Sequence, residues 1–134
     1  MYKNAPLPED CPPIEAKQPQ NSLTLFRILP TEKIHADAFL TYRQLYPENK
    51  RYRNLCIAFA VSMFTSKEFA MTAYRASLER NKSLGTHLAE LVLQNKDGVY
   101  EINPVTGHCS FWFYESCIFV QIPCVQIIKI DENS

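Results

Sequence analysis

Apolar residues along this chain recur mostly at a spacing of two, in short runs divided by turn signals, which predicts a protein built largely from strands. Ser22 to Leu29 (SLTLFRIL) reads as the first strand, with the charge of Arg27 set inside an otherwise apolar run. Such a charge has to surface or find a partner. Cys56 to Phe64 reads as a long second strand that leads through Thr65-Ser66 into a helix. Thr65 and Glu68 have the spacing of a capping box, and Phe69, Ala70, Ala73, Tyr74 and Ser77 would form the inward helix face. Asn81 to Gly85 supplies the stop. His87 to Leu93 and Val99 to Ile102 flank Asn95-Lys96-Asp97-Gly98, a tight-turn signature that predicts a hairpin. His108 to Tyr114 (HCSFWFY) has the aromatic load of a central strand, and Ile118 to Ile122 and Val125 to Ile130 would complete the sheet. An earlier helix is expected from Thr31 to Leu45, on the stripe of Ile34, Ala38, Leu40, Tyr42 and Leu45.

The pattern predicts an α+β fold: a single domain with two main helices packed on a mostly antiparallel sheet of about six strands. Residues 22–131 would form this domain. Residues 1–21, which carry Pro6, Pro8, Pro12, Pro13 and Pro19, would form a proline-rich arm.

Composition narrows the function more than the fold. At 134 residues with 46% hydrophobic content, the chain has the material for one core. Fourteen basic residues balance 14 acidic ones, so no whole-molecule field draws in nucleic acid or an anionic membrane. No apolar run has spanning length and the first residues lack the apolar segment of a signal peptide, so a cytoplasmic location is expected. Five cysteines, none in a Cys-x-x-Cys pair, give neither zinc spacing nor a complete disulfide framework; Cys56, Cys109, Cys117 and Cys124 are expected to be buried thiols, and no metal is expected.

The chain has no glycine-rich phosphate loop, metalloprotease helix or nucleophile elbow. The candidate binding residues that remain are His87, His108, Tyr52 and Arg53. His108 and Cys109, adjacent on a strand, point to opposite faces and cannot readily pair with each other, whereas His87 could meet either of them across the sheet. Lys50-Arg51-Tyr52-Arg53 is a basic, aromatic cluster, but three charges are few beside the contacts nucleic-acid binding needs. The leading expectation is a binding or interaction module with a protein partner, no cofactor and no assigned catalysis.

Arg27 on an early strand, Ser62 near a strand end and Glu115 after the aromatic strand stand in an order that resembles the arginine, serine and glutamate of the ADP-ribosyltransferase superfamily. This resemblance implies an NAD-dependent enzyme as the alternative function. Arg27 would hold a phosphate of NAD, Ser62 would support the nicotinamide ribose, and Glu115 would stabilise positive charge as nicotinamide leaves. The family's Ser-Thr-Ser run appears here as Ser62-Met63-Phe64-Thr65-Ser66, and Phe113 stands where many transferases carry an acidic or amide residue. The order of Phe26-Arg27, Ser62-Met63-Phe64 and Gly107-His108 also resembles that of small bacterial α+β proteins to which no activity is assigned.

Overall fold

Six strands form one antiparallel sheet in the computed structural model, which describes residues 1–131. They are β1 (Leu23–Leu29), β2 (Val61–Phe64), β3 (His87–Leu93), β4 (Gly98–Ile102), β5 (His108–Phe113) and β6 (Cys124–Lys129), in the spatial order β4-β5-β2-β1-β3-β6. Two α-helices accompany them, the single-turn α1 (Tyr42–Leu45) and the 13-residue α2 (Lys67–Glu79), so the α+β class holds. No helix among the described residues is long and apolar enough to cross a membrane.

Strand periodicity sorts the core onto two faces. Leu25 and Leu29 of β1 join Met63, Leu91 and Phe111 in one buried cluster, which Ala38 and Phe39 cap. Ile28, one step out of phase, joins Phe64 and Leu88 in a second cluster with Ala70, Met71 and Tyr74 of α2. By the same alternation Arg27 shares the parity of Leu25 and Leu29, so its charge is directed toward a core face.

Helix α2 begins one residue later than its sequence suggests. Ser66, not Thr65, is the N-cap, and its hydroxyl accepts from the amide of Phe69 at 3.1 Å. The helix stops at Asn81, whose φ of 58° is left-handed, and the amides of Asn81 and Lys82 close back onto the carbonyls of Leu78 and Ser77. Phe69, expected on the inward face, is 36% exposed, and Met71 is buried in its stead.

Three expected elements differ. The segment 31–45 does not form one helix: it makes a 3-10 turn at Ala36–Phe39 and then α1, which has a true capping box between Thr41 and Gln44. Leu40, extended at ψ 140°, separates the two, and its carbonyl accepts from the Arg27 side chain. Cys56–Phe59 is a 3-10 turn ahead of β2, with Ala58 and Phe59 buried and Ile57 exposed. Phe119–Gln121 is likewise a 3-10 turn, which stacks Phe119 on Phe39 at 4.6 Å between ring centroids.

The proline-rich arm is laid along the β4 and β5 side of the sheet. Lys17 exchanges both backbone bonds with Tyr100, and the amide of Lys3 donates to the carbonyl of Phe113 at 2.9 Å. Tyr2, Leu7, Cys11 and Ala16 cover a third cluster of Ala60, Val99 and Trp112. Trp112 is 1% exposed, and its indole donates to the carbonyl of Cys56 at 3.2 Å. A disulfide between Cys11 and Cys56, with 5.5 Å between Cα atoms, ties the arm to the turn before β2. The expectation that Cys56 is a free buried thiol is therefore corrected. Cys109 and Cys117 are buried and free, with burial pushing each thiol up to about 12, while Cys124 is free but exposed on the edge strand β6, which corrects the expectation that it is buried.

Candidate functional site

The site begins where two neighbouring strands part. β1 and β2 pair only at Phe26 and Phe64, and the guanidinium of Arg27 fills the opening beyond that pair. Its Nε donates to the carbonyl of Ala38 at 3.0 Å, its Nη1 to that of Ser62 at 2.8 Å and its Nη2 to that of Leu40 at 3.4 Å. The break between the 3-10 turn and α1 is what presents two of these carbonyls. A guanidinium has five N–H donors, so two remain unspent. No carboxylate among the described residues pairs with Arg27. Burial lowers its pKa to about 10, and the nearby Tyr42 opposes that shift, so at neutral pH the group remains a cation.

Above this cation lies a pocket of about 340 Å³ whose polar lining includes Arg27, Tyr42, Ser62, Arg80, Thr106 and His108. Leu40 and Leu45 form one apolar wall, and Ala73, Ala76 and Leu84 another. The stop at Asn81 leaves the exposed Arg80 at the pocket end of α2. Tyr42 stacks on Tyr46 and Tyr52, with ring centroids 6.3 and 5.8 Å away. Burial raises its phenol pKa, keeping it protonated and able to donate.

Ser62 and His108 meet in this pocket through the register of β2 and β5. Ser62 faces Ser110 and Phe64 faces His108, so Ser62 and His108 are diagonal neighbours on one face. Ser62 Oγ and His108 Nε2 are 2.6 Å apart. The imidazole stands edge-on to Phe64, with 5.6 Å between centroids. Cys109, next in sequence, points into the opposite core cluster. The loop before β5 holds His108 in place: Asn103 Oδ1 accepts from the amides of Val105 and Thr106, and Gly107 turns at a φ of 70°. A Cβ on Gly107 would stand 2.1 Å from the ring of Phe69, so only glycine allows this turn against α2.

Burial lowers the pKa of His108 below 6.5, which keeps the imidazole neutral at pH 7. The unfolded chain then binds that proton more readily than the folded one. The stability that His108 contributes is complete above pH 6.5 and is lost as pH falls from 6.5 toward the folded pKa. Urea melts between pH 7 and about 5 should show this loss, and His108→Gln should flatten the slope; an equal slope in the variant would contradict it.

The other sequence candidates lie elsewhere. Glu115 is 79% exposed, 3.8 Å from the amino terminus, in a depression lined by Tyr2, Lys3 and Phe119, and it does not line the Arg27 pocket. His87 bonds Thr86 at 2.8 Å and sits between Leu29 and Lys129 in the sheet. Because β1 and β2 separate β3 from β5, His87 does not meet His108 or Cys109, which corrects that expectation. Tyr52 reaches the pocket only through Tyr42, and the exposed Arg53 does not line it. No cluster of three or more His, Cys, Asp or Glu side chains suited to a metal occurs among the described residues. Sequence reading passed over Tyr42 and Arg80; the capping box at Thr41 and the left-handed stop at Asn81 were the local signals that place them. In comparisons with protein families, curated proteins and solved structures, nothing matches the chain.

Proposed function

We propose that this domain is a binding module for a small organic anion, seated in the pocket over Arg27 with α1 and α2 as its walls. One observation carries the reading. The pocket contains a partly buried guanidinium that three backbone carbonyls hold but that, among the described residues, no carboxylate neutralises, with two N–H donors unspent. Carbonyls supply partial charge only, so an anion entering the pocket gains the uncancelled attraction of a cation in a low-dielectric site. Arg80 at the rim and the phenol of Tyr42 add charge and a donor. The leucine and alanine walls suit an apolar or aromatic body, and about 340 Å³ suits a ligand at the small end of the usual range.

An NAD-using transferase is the second reading, and it draws on Arg27 and Ser62 lining one pocket. Among the described residues it has no carboxylate there, since Glu115 stands elsewhere. A thermal-shift series with benzoate, inorganic phosphate and NAD tests both. A ligand that binds only the folded state raises the melting temperature in proportion to RT ln(1 + [L]/Kd). Benzoate should give a saturable rise in the wild type that Arg27→Met, still folded, does not show. A rise with NAD that both Arg27→Met and Glu115→Ala abolish would favour the transferase. No rise with any anion at millimolar concentration would overturn the binding reading.

A further inference from the structure

We infer that Ser62 and His108 form a nucleophile and general-base pair that cleaves esters of small anionic acyl or alcohol groups held by Arg27. This rests on the anion-binding reading of the same pocket and adds a reaction to it. Three observations converge. The hydroxyl and the imidazole are in direct hydrogen-bond contact at 2.6 Å, within the 2.6 to 3.2 Å that proton abstraction requires. Both line the pocket, so a bound molecule reaches them. Arg27 Nη1 rests on the carbonyl of Ser62 itself, which places its unspent N–H donors beside the reacting residue.

The remaining chemistry is available from these groups and water. A neutral imidazole with a free Nε2 lone pair takes the proton of Ser62 as Oγ attacks the acyl carbon. The charge that develops on the former carbonyl oxygen is opposed by the Arg27 guanidinium. The bond to the alcohol oxygen then breaks, and that oxygen leaves with the proton held on Nε2. Water repeats the sequence: its proton passes to Nε2, its oxygen joins the acyl carbon, and Ser62 Oγ departs and recovers the proton. One ester and one water give one acid and one alcohol, without oxidation or reduction.

Nδ1 of His108 has no hydrogen-bond partner among the described residues, so the pair is a dyad whose imidazole is oriented by Phe64 instead of a carboxylate. The serine lies within a strand, not at a strand-to-helix elbow, which is why motif reading passes over it.

The test uses the full chain, a fluorophosphonate probe read by intact mass, and the hydrolysis of p-nitrophenyl acetate and mono-p-nitrophenyl succinate. Wild type should take one adduct at Ser62, and Ser62→Ala should take none. Hydrolysis should favour the succinate ester and fall by about 100-fold or more in Ser62→Ala and His108→Gln, each checked for a native melt. The rate should rise with pH through an apparent pKa below 6.5. Wild type that binds benzoate but takes no adduct, or an adduct that persists in Ser62→Ala, overturns the dyad and leaves the binding reading intact. Wild type that is labelled at Ser62 yet shows no preference for the anionic ester and no benzoate binding overturns the binding reading and the substrate class together.

Discussion

Arg27→Met should both abolish anion binding and weaken the fold by about 2 to 3 kcal/mol, the largest effect expected of any single change at the site. The two losses have one origin. The guanidinium is the donor for the carbonyls of Ala38, Ser62 and Leu40, and methionine satisfies none of them. Each carbonyl left without a partner away from water costs about 1 to 3 kcal/mol, and relief from burying a charge offsets part of the sum. Arg27→Lys separates the effects, because an ammonium keeps the charge but cannot span three carbonyls as a planar fork does. It should bind more weakly than wild type and unfold at an intermediate urea midpoint. An Arg27→Met midpoint equal to that of wild type would show that the carbonyl clamp contributes nothing to stability.

Removal of the Cys11–Cys56 bond is the second large effect. The bridge closes a separation of 45 residues, and losing a native disulfide of this kind costs about 2 to 4 kcal/mol. The paired variant Cys11→Ser with Cys56→Ser avoids leaving a lone thiol. It should loosen the arm from Trp112 and bring the buried indole toward water, which shifts its fluorescence to longer wavelength. In a reducing compartment both sulfurs are thiols, and the arm is held by its backbone bonds at Tyr2, Lys3 and Lys17 and by its packing on the Trp112 cluster. A thiol titration of the denatured, unreduced protein should count the three free cysteines, Cys109, Cys117 and Cys124. A count of all five cysteines before any reductant is added would contradict the bridge.

Much of the sheet was legible because its signals are local. Alternation in β1 and β3, the Asp97-Gly98 turn and the aromatic run of β5 act within a few residues, and each element formed close to its expected bounds. The misread segments are those where tertiary contact decides. Cys56–Phe59 has strand-like composition, yet its sulfur is bonded to the arm and its carbonyl takes the Trp112 indole, contacts that a local pattern does not encode. The Thr31 to Leu45 stripe has helical spacing, but Phe39 is held by Phe119 and Leu40 is extended so that its carbonyl meets Arg27. The site divides in the same way. Arg27 stood out as a charge in an apolar strand that needed a partner, and Ser62 and His108 were each visible as candidates. Their meeting depends on β2 lying beside β5 across 46 residues, and on β1 leaving β2 after one pair. Sheet order of that kind is non-local, so the sequence grouped Ser62 with Glu115 only through a family resemblance and left His87 able to meet either His108 or Cys109, whereas the sheet brings Ser62 to His108.

The central claim, that Arg27 is the anchor of an anion site, is tested most directly by following its own Nε–H. In a ¹H–¹⁵N spectrum of the arginine side chains, the Arg27 resonance is identified by its absence in Arg27→Lys. On titration with benzoate it should move, or broaden, to saturation at the same midpoint as the thermal shift. A resonance that stays fixed while only exposed arginines drift in proportion to added salt would contradict the claim, and with it the assignment of this pocket as the place where the protein acts.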